Sequence, residues 1–352
     1  MHIFADIRGL KYTPMLCRKL NTFNFNSIDT ALSKYSTFIL SIKKNNFAVS
    51  WWVSPKRTRS YPYTRVYDSL SFSGKKVTII PILKDEGKEG DRDFLQWDTI
   101  SLMSLLGVYV IISYYAEASK STKYKNKITK QRFDINHVKR EIQKLLSYQS
   151  DALHWNLAQI DNIKKIGQKA LQSYSKISKK LNVEMHSYES ARKRIEQLSE
   201  GKEIFMKTSR NLAEKAQIRE SITIQPKEHL TGEKATITIK NYLGGYYYFT
   251  CDEIEIHGKS LYLIEGKHTK TNNLPSLGDI KDGLLKMILF TNLENVKIGR
   301  KKYKPIPILK LTTGKGLVMK SLSRIQNELL RDLKEEAKTN GFRVLINNEF
   351  LV

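Results

Sequence analysis

The chain has 352 residues, 40% of them hydrophobic, which is enough for a sizeable core and about two domains and too apolar for wholesale disorder. Sixty basic residues against 35 acidic ones give a formal net charge of +25, which points to a polyanionic partner, nucleic acid or an anionic membrane surface. Two distant cysteines, Cys17 and Cys251, exclude a disulfide framework and a cysteine-based zinc site, and fit a reducing, cytoplasmic setting.

Residues 1–117 read as a mixed α/β region. The N-terminus lacks the basic start and apolar run of a secretory signal. Phe47 to Val53 and Lys76 to Leu83 are rich in β-branched and aromatic residues, as strands are. Asp98 is expected to cap a helix from Thr99 to Leu106, which Gly107 ends, and Val108 to Tyr115 follows as a buried strand. The apolar stretch Ile100 to Tyr115 is too short and too interrupted to span a bilayer, which leaves nucleic acid as the favoured polyanion.

Two segments of this region carry unusual side chains. Between Ser54 and Tyr67, Lys56, Arg57, Arg59 and Arg65 interleave with Tyr61, Tyr63 and Tyr67, a mixture suited to phosphate contact and base stacking or edge contact, or simply an exposed basic loop. Between Lys84 and Asp98 stand Asp85, Glu86, Glu89, Asp91, Asp93 and Asp98, with Glu117 and Lys120 downstream. A second nuclease-like centre is one reading of that cluster. A charged loop with a helix cap is the favoured one, because residues three apart on a strand face opposite sides.

Residues 118–220 read as helical. A basic linker leads into Ile135, Val138, Ile142, Leu145, Gln149, Leu153, Leu157 and Ile160, at three- and four-residue steps, a pattern expected to continue towards Leu181. Tyr188, Ala191, Ile195 and Leu198 repeat it in a second helix. A coiled-coil arm and a packed helical layer both fit. The absence of sustained heptads favours the layer.

Residues 221–352 read as a sheet with interposed helices. Strands are expected at Ala235 to Ile239, Tyr246 to Ile256, Ser260 to Thr269, Ile306 to Leu311 and Phe342 to Ile346. Helices are expected at Asp279 to Phe290, packed through Ile280, Leu284, Met287 and Ile288, and at Ser321 to Ala337. Lys281 and Lys286 read as solvated, with phosphate contact as the alternative. Lys297, Arg300, Lys301, Lys302 and Lys304 form a basic turn suited to contacting a nucleic-acid backbone.

The most informative stretch is Thr250 to Lys270. Gly258–Lys259 between two strand-like runs marks a two-residue hairpin turn. With that turn His257 faces Ser260, Ile256 faces Leu261, Ile254 faces Leu263 and Asp252 faces Glu265. Alternation then puts Asp252, Ile254, Ile256, Leu261, Leu263, Glu265 and Lys267 on one face, and Glu253, Glu255, His257, Tyr262 and Ile264 on the other. An apolar face therefore ends in two carboxylates and an ammonium. Buried carboxylates need a partner or a metal, and a pair of them across a hairpin suits Mg²⁺. A turn shifted by one residue would put Glu253 in place of Asp252. The plain alternative is a surface hairpin with ordinary ion pairs.

Asp252, then twelve residues, then Glu265-Gly266-Lys267 resembles the PD-(D/E)XK motif of type II restriction endonucleases. The resemblance covers Lys234 to Phe290. It implies a restriction-endonuclease-like mixed sheet flanked by helices, an α/β (α+β) fold. It also implies Asp252 and Glu265 as Mg²⁺ ligands with the Gly266 carbonyl as a further one, and Lys267 as the catalytic lysine. Cys251 stands where the motif has proline. Glu233 is a further upstream acid to consider.

The function expected is Mg²⁺-dependent hydrolysis of phosphodiesters in double-stranded DNA by a type II restriction endonuclease. Such an enzyme would act as a homodimer, with a DNA methyltransferase as genetic partner. DNA contacts are expected from Lys56, Arg57, Arg59 and Arg65 and from Arg300, Lys301 and Lys302. A repair, recombination or mobile-element nuclease of the same fold, and a non-catalytic DNA-binding protein, are the alternatives.

Overall fold

A computed structural model describes residues 1–55, 60–199, 233–242, 246–314, 322–347 and 349–352, the side chains of 60–62 excepted. Contacts divide the chain into two units: residues 1–18 with 210–352, and residues 19–209. This differs from three consecutive regions. Strand β1 (His2–Ile7) belongs with the C-terminal part of the chain, and the helices after residue 134 belong with the strands before it.

The unit of residues 19–209 is built on a five-stranded mixed sheet. It contains β2 (Thr22–Asn24), β3 (Thr37–Ile42), β4 (Asn45–Trp51), β5 (Lys75–Pro81) and, beyond β6 (Leu83–Asp85) and β7 (Arg92–Phe94), β8 (Val108–Ser113), in the order β2-β3-β4-β5-β8. Helix α1 (Ile28–Lys34) follows β2, α2 (Ser60–Tyr67) follows β4 and α3 (Trp97–Leu105) precedes β8. Asp98 lies inside the first turn of α3, fully buried. Gln96 is the cap residue, so the expected capping role of Asp98 does not hold.

Strands β9 (Tyr115–Lys120) and β10 (Ile128–Phe133) form a separate ribbon. The expected single helix from Ile135 towards Leu181 is three: α4 (Ile135–Ser147), α5 (Ala152–Asp161) and α6 (Ile163–Leu181). Asp151 interrupts the periodicity by capping α5, its carboxylate accepting from the His154 amide at 2.9 Å.

Strand β8 is the edge of its sheet and is buried throughout. Side chains of α5 meet its free backbone groups. Asn156 accepts from Val110 N at 2.6 Å and donates to Val108 O at 2.9 Å, Trp155 donates to Val110 O at 2.7 Å, and Gln159 accepts from Ile112 N at 3.3 Å. An open edge is thereby closed by polar side chains instead of another strand. Helix α7 (Tyr188–Ser199) packs on α6, with Ile195 against Gly167, so the helices form a packed layer within this unit.

The other unit is a nine-stranded mixed sheet. After β1 come β11 (Glu233–Asn241), β12 (Tyr246–His257), β13 (Ser260–Thr269), α8 (Leu277–Phe290), β14 (Glu294–Ile298), β15 (Lys301–Lys302), β16 (Lys304–Thr313), α9 (Arg324–Asn340), β17 (Arg343–Ile346) and β18 (Glu349–Phe350). The order is β15-β14-β1-β11-β12-β13-β16-β17-β18. Strands β11, β12 and β13 form an antiparallel meander, and β16 and β17 follow parallel to β13. Central strands of such a sheet are covered on both faces. The expected elements of this region are present, each within a few residues, and the basic turn around Arg300 is the β14–β15 hairpin at the sheet edge. Among the described residues no helix is long and apolar enough to cross a membrane.

Candidate active site

Strands β12 and β13 meet in the expected register, His257 opposite Ser260, Ile256 opposite Leu261 and Ile254 opposite Leu263. Gly258 turns the hairpin at φ 61°, a conformation that costs glycine little. The regular ladder stops at Glu253 opposite Ile264. There β12 bulges against β11: Glu233 pairs Ile254 and Ala235 pairs Cys251, so an extra residue sits between them on β12. Asp252 lies in this bulge, and its Oδ2 accepts from the Gly266 amide of β13 at 2.9 Å.

Glu265 is fully buried and takes a lysine on each oxygen. Lys267 Nζ lies 2.9 Å from Oε1 and Lys286 Nζ 2.7 Å from Oε2. Lys267 also donates to Asp282 Oδ2 at 2.6 Å. Asp282 and Lys286 stand one turn apart on α8, which Ser276 caps by accepting from the Asp279 amide at 3.2 Å. Gly283, between them, lets the helix approach the sheet. A Cβ there would lie 2.6 Å from Leu309 Cδ1 and 3.3 Å from Lys267 Cε. The expected trio Asp252, Glu265 and Lys267 is thus part of a group of five charged side chains, three from the hairpin and two from α8.

The electrostatics of the five are unequal. Burial pushes Glu265 up, but Lys267 and Lys286 overcome it and hold the carboxyl at about 2. Burial likewise disfavours charge on both lysines, and Glu265 outweighs it, so both stay protonated well beyond the ordinary range. Asp252 goes the other way. Burial, then the neighbouring Glu265 charge, raises it from 3.8 to about 7. It forms no ion pair among the described residues. The same burial pushes the Cys251 thiol up, and its Sγ donates to the carbonyls of Glu253 and Ile264, both at 3.3 Å.

Burial follows the apolar face in the middle of the hairpin and fails beside its turn. Ile254, Leu261, Leu263 and Glu265 are buried as expected, but Ile256 is 40% exposed. On the other face, where alternation places it, Glu253 is fully buried and pairs with Lys310 at 3.1 Å. Glu253 therefore occupies the opposite side of a two-sided sheet. Alternation along one hairpin cannot register that a second layer covers the other side. Glu255 and His257 are exposed and contact each other at 3.1 Å.

Other expected site residues fall elsewhere. Glu233 is exposed and pairs with the N-terminal ammonium at 3.3 Å, apart from the five. Gly266 engages Asp252 through its amide. Arg300, Lys301 and Lys302 are exposed on the β14–β15 hairpin. Lys56, Arg57 and Arg59, and the side chain of Tyr61, lie outside the described residues. Arg65 is committed to the fold: its guanidinium lies 4.2 Å over the Trp51 ring and donates to Trp51 O at 2.8 Å. Tyr63 and Tyr67 are buried, so neither offers a stacking platform. In the acidic cluster, Asp85 accepts from Gly87 N and contacts His186, each at 2.8 Å, Asp93 accepts from Ser54 at 2.6 Å, and Glu86 pairs with Lys84 and Lys127. Glu117 and Lys120 are both exposed. Among the described residues no group of three or more His, Cys, Asp or Glu side chains is arranged to hold a metal ion.

Asp282 and Lys286 were missed from sequence, Lys286 being read as solvated. A signal was present. Ile280, Leu284, Leu285, Met287, Ile288, Leu289 and Phe290 surround the helix on nearly every side, and a helix that is apolar all round is buried. Charged residues inside such a helix have to be paired. No protein family, curated protein or solved structure matches the chain.

Proposed function

We propose that the chain is a Mg²⁺-dependent endonuclease acting on double-stranded DNA, with its active site at Asp252, Glu265 and Lys267. One observation carries this reading: Asp252 is a half-buried carboxylate beside a second, fully buried one, Glu265, and forms no ion pair among the described residues. A fold gains nothing from such a group unless something positive joins it. The donor set suits a hard divalent ion. Two carboxylates supply oxygen ligands, and Mg²⁺ keeps several waters instead of demanding an all-protein cage. Bound there, it would supply charge that polarises the scissile phosphate and activates a water.

The protein's own groups do the rest. Lys267 is held protonated by Glu265 and Asp282. It therefore acts as a fixed cation for charge developing on the phosphate, not as a base. Asp282 positions it. Lys286 steadies Glu265 from the helix side. The meander β11-β12-β13, followed by α8 and the parallel strand β16, agrees with the restriction-endonuclease-like core that the motif implies. The net charge of +25 agrees with a DNA substrate. A type II restriction enzyme, dimeric and coupled to a methyltransferase, is the specific form proposed.

The five-charge cluster favours a second reading, because both oxygens of Glu265 already have lysine partners. On this reading the cluster is structural and the protein binds DNA without cutting it. Incubating the purified protein with plasmid DNA and Mg²⁺ separates the two. The nuclease reading expects cutting that Asp252→Asn and Lys267→Ala each abolish while duplex binding persists. No cutting, or cutting that survives both substitutions, overturns the assignment.

A further inference from the structure

Helix α6 carries a one-sided charge pattern. Over 19 residues it holds six lysines, Lys164, Lys165, Lys169, Lys176, Lys179 and Lys180, and no acid. Its buried side is Ile163, Ile166, Gly167, Ala170, Leu171, Tyr174 and Ile177. At about 3.6 residues per turn, Lys165, Lys169, Lys176 and Lys180 fall in one row on the side facing away from those residues. None of the six lysines makes a hydrogen bond or ion pair among the described residues. Some other surface cations of this unit do: Lys88 with Glu184 at 2.7 Å, Lys144 with Glu141 at 2.6 Å, and Arg192 with Glu189 and Glu196, both at 2.6 Å.

Such a row is unfavourable for the helix itself. Like charges four residues apart cost a few tenths of a kcal/mol per pair, and Lys164 and Lys165 stand at the end of the helix that prefers acids. A partner with closely spaced negative charges reverses both effects. We infer that the lysine row of α6 is a docking surface for the phosphate backbone of duplex DNA. The helix is about 28 Å long, so the row follows a run of phosphates and gives affinity without sequence readout. An anionic membrane is the weaker fit, because interfacial helices insert their apolar face and the apolar face of α6 is already packed against α7 and β9. The inference names a DNA-binding surface and stands apart from the chemistry at Asp252.

The test measures binding of the full chain to a fluorescein-labelled 30-base-pair duplex by anisotropy, with EDTA present so that cleavage plays no part. The test variant is Lys165→Gln/Lys169→Gln/Lys176→Gln/Lys180→Gln. The control carries the same charge change at Lys34, Lys44, Lys240 and Lys259. The expected result is a Kd about tenfold or more above that of the control, and a slope of log Kd against log salt shallower by about 3 to 4. Should the quadruple variant lose its circular dichroism signal, Lys169→Gln/Lys176→Gln is used, with a slope change of about 2 expected. Equal affinity and slope for test and control variants overturn the inference. So does α6-dependent binding to phosphatidylserine vesicles with duplex affinity unchanged. Plasmid cutting is scored separately, so failure here and failure of the nuclease reading remain distinct.

Discussion

Replacing Asp252 by Asn is expected to make the protein more stable at alkaline pH while ending any cleavage. In the folded protein burial, and next the Glu265 charge, raise this carboxyl from 3.8 to about 7. The native state then holds a proton that the unfolded chain has lost. Stability therefore falls as pH rises between those two values, and the cost is fully present above the upper one. At about 1.36 kcal/mol per pH unit the interval corresponds to about 4 kcal/mol. Relaxation and water entry around a bulged strand reduce this to about 2 kcal/mol. Asn keeps an oxygen for the Gly266 amide and removes only the charge. The gain should be near zero at pH 4 and full at pH 8. Tryptophan fluorescence would follow the wrong unit, since Trp51, Trp52, Trp97 and Trp155 all lie within residues 19–209. Hydrogen exchange of peptides covering β12 and β13, with increasing urea, reads the relevant strands. A loss of stability at pH 8 in the variant would refute the reasoning, because it is the result expected when a net-stabilising ion pair is cut. Titrating Mg²⁺ at pH 8 should raise protection in the unsubstituted protein and leave the variant unchanged.

Lys286→Met leaves Glu265 with one lysine in a buried setting, and should cost about 3 kcal/mol at neutral pH by the same exchange measurement. Asp282→Asn loosens Lys267 without touching either metal-ligand candidate, so the cutting rate should fall about 10- to 100-fold while duplex affinity stays constant. Glu253 and Lys310 give a contrasting case on the opposite face. Lys310→Met alone should cost about 3–5 kcal/mol, and Glu253→Leu added to it should recover most of that, as read by a double-mutant cycle.

Local chemistry was legible from sequence wherever it is decided by neighbours in the chain. Gly258 announced the turn, alternation gave the register as far as Ile254 and Leu263, and the apolar run of α8 gave a buried helix. What depends on the third dimension was not legible. The break at Asp151 is a cap inside an unbroken apolar rhythm, so periodicity alone ran α4, α5 and α6 together. Tyr63, Tyr67 and Arg65 look like a nucleic-acid surface as letters, but the fold uses them as core and as a brace on Trp51. Burial on both sides of β12 was invisible because one hairpin specifies only which residues share a face, not how many layers cover it.

Burial also bears on how the site should be judged. A hairpin lying on the surface, covered on neither face, would leave Asp252 and Glu265 as ordinary surface acids, their charges screened by water. In the nine-stranded sheet Glu265 is fully buried and Asp252 half-buried, and burial makes the difference between them consequential. Glu265 has two cations and is settled. Asp252 has an amide and only the more distant pull of lysines already paired with Glu265, against burial and a like charge, and is not. Structural ion pairs come in matched sets, as Glu253 with Lys310 does on the far face. On the proposed reading, an unmatched carboxylate next to a matched one is where a ligand of opposite charge would complete the site. For that reason the decisive residue on this reading is Asp252, the one of the five without an ion pair among the described residues, rather than the well-anchored Glu265.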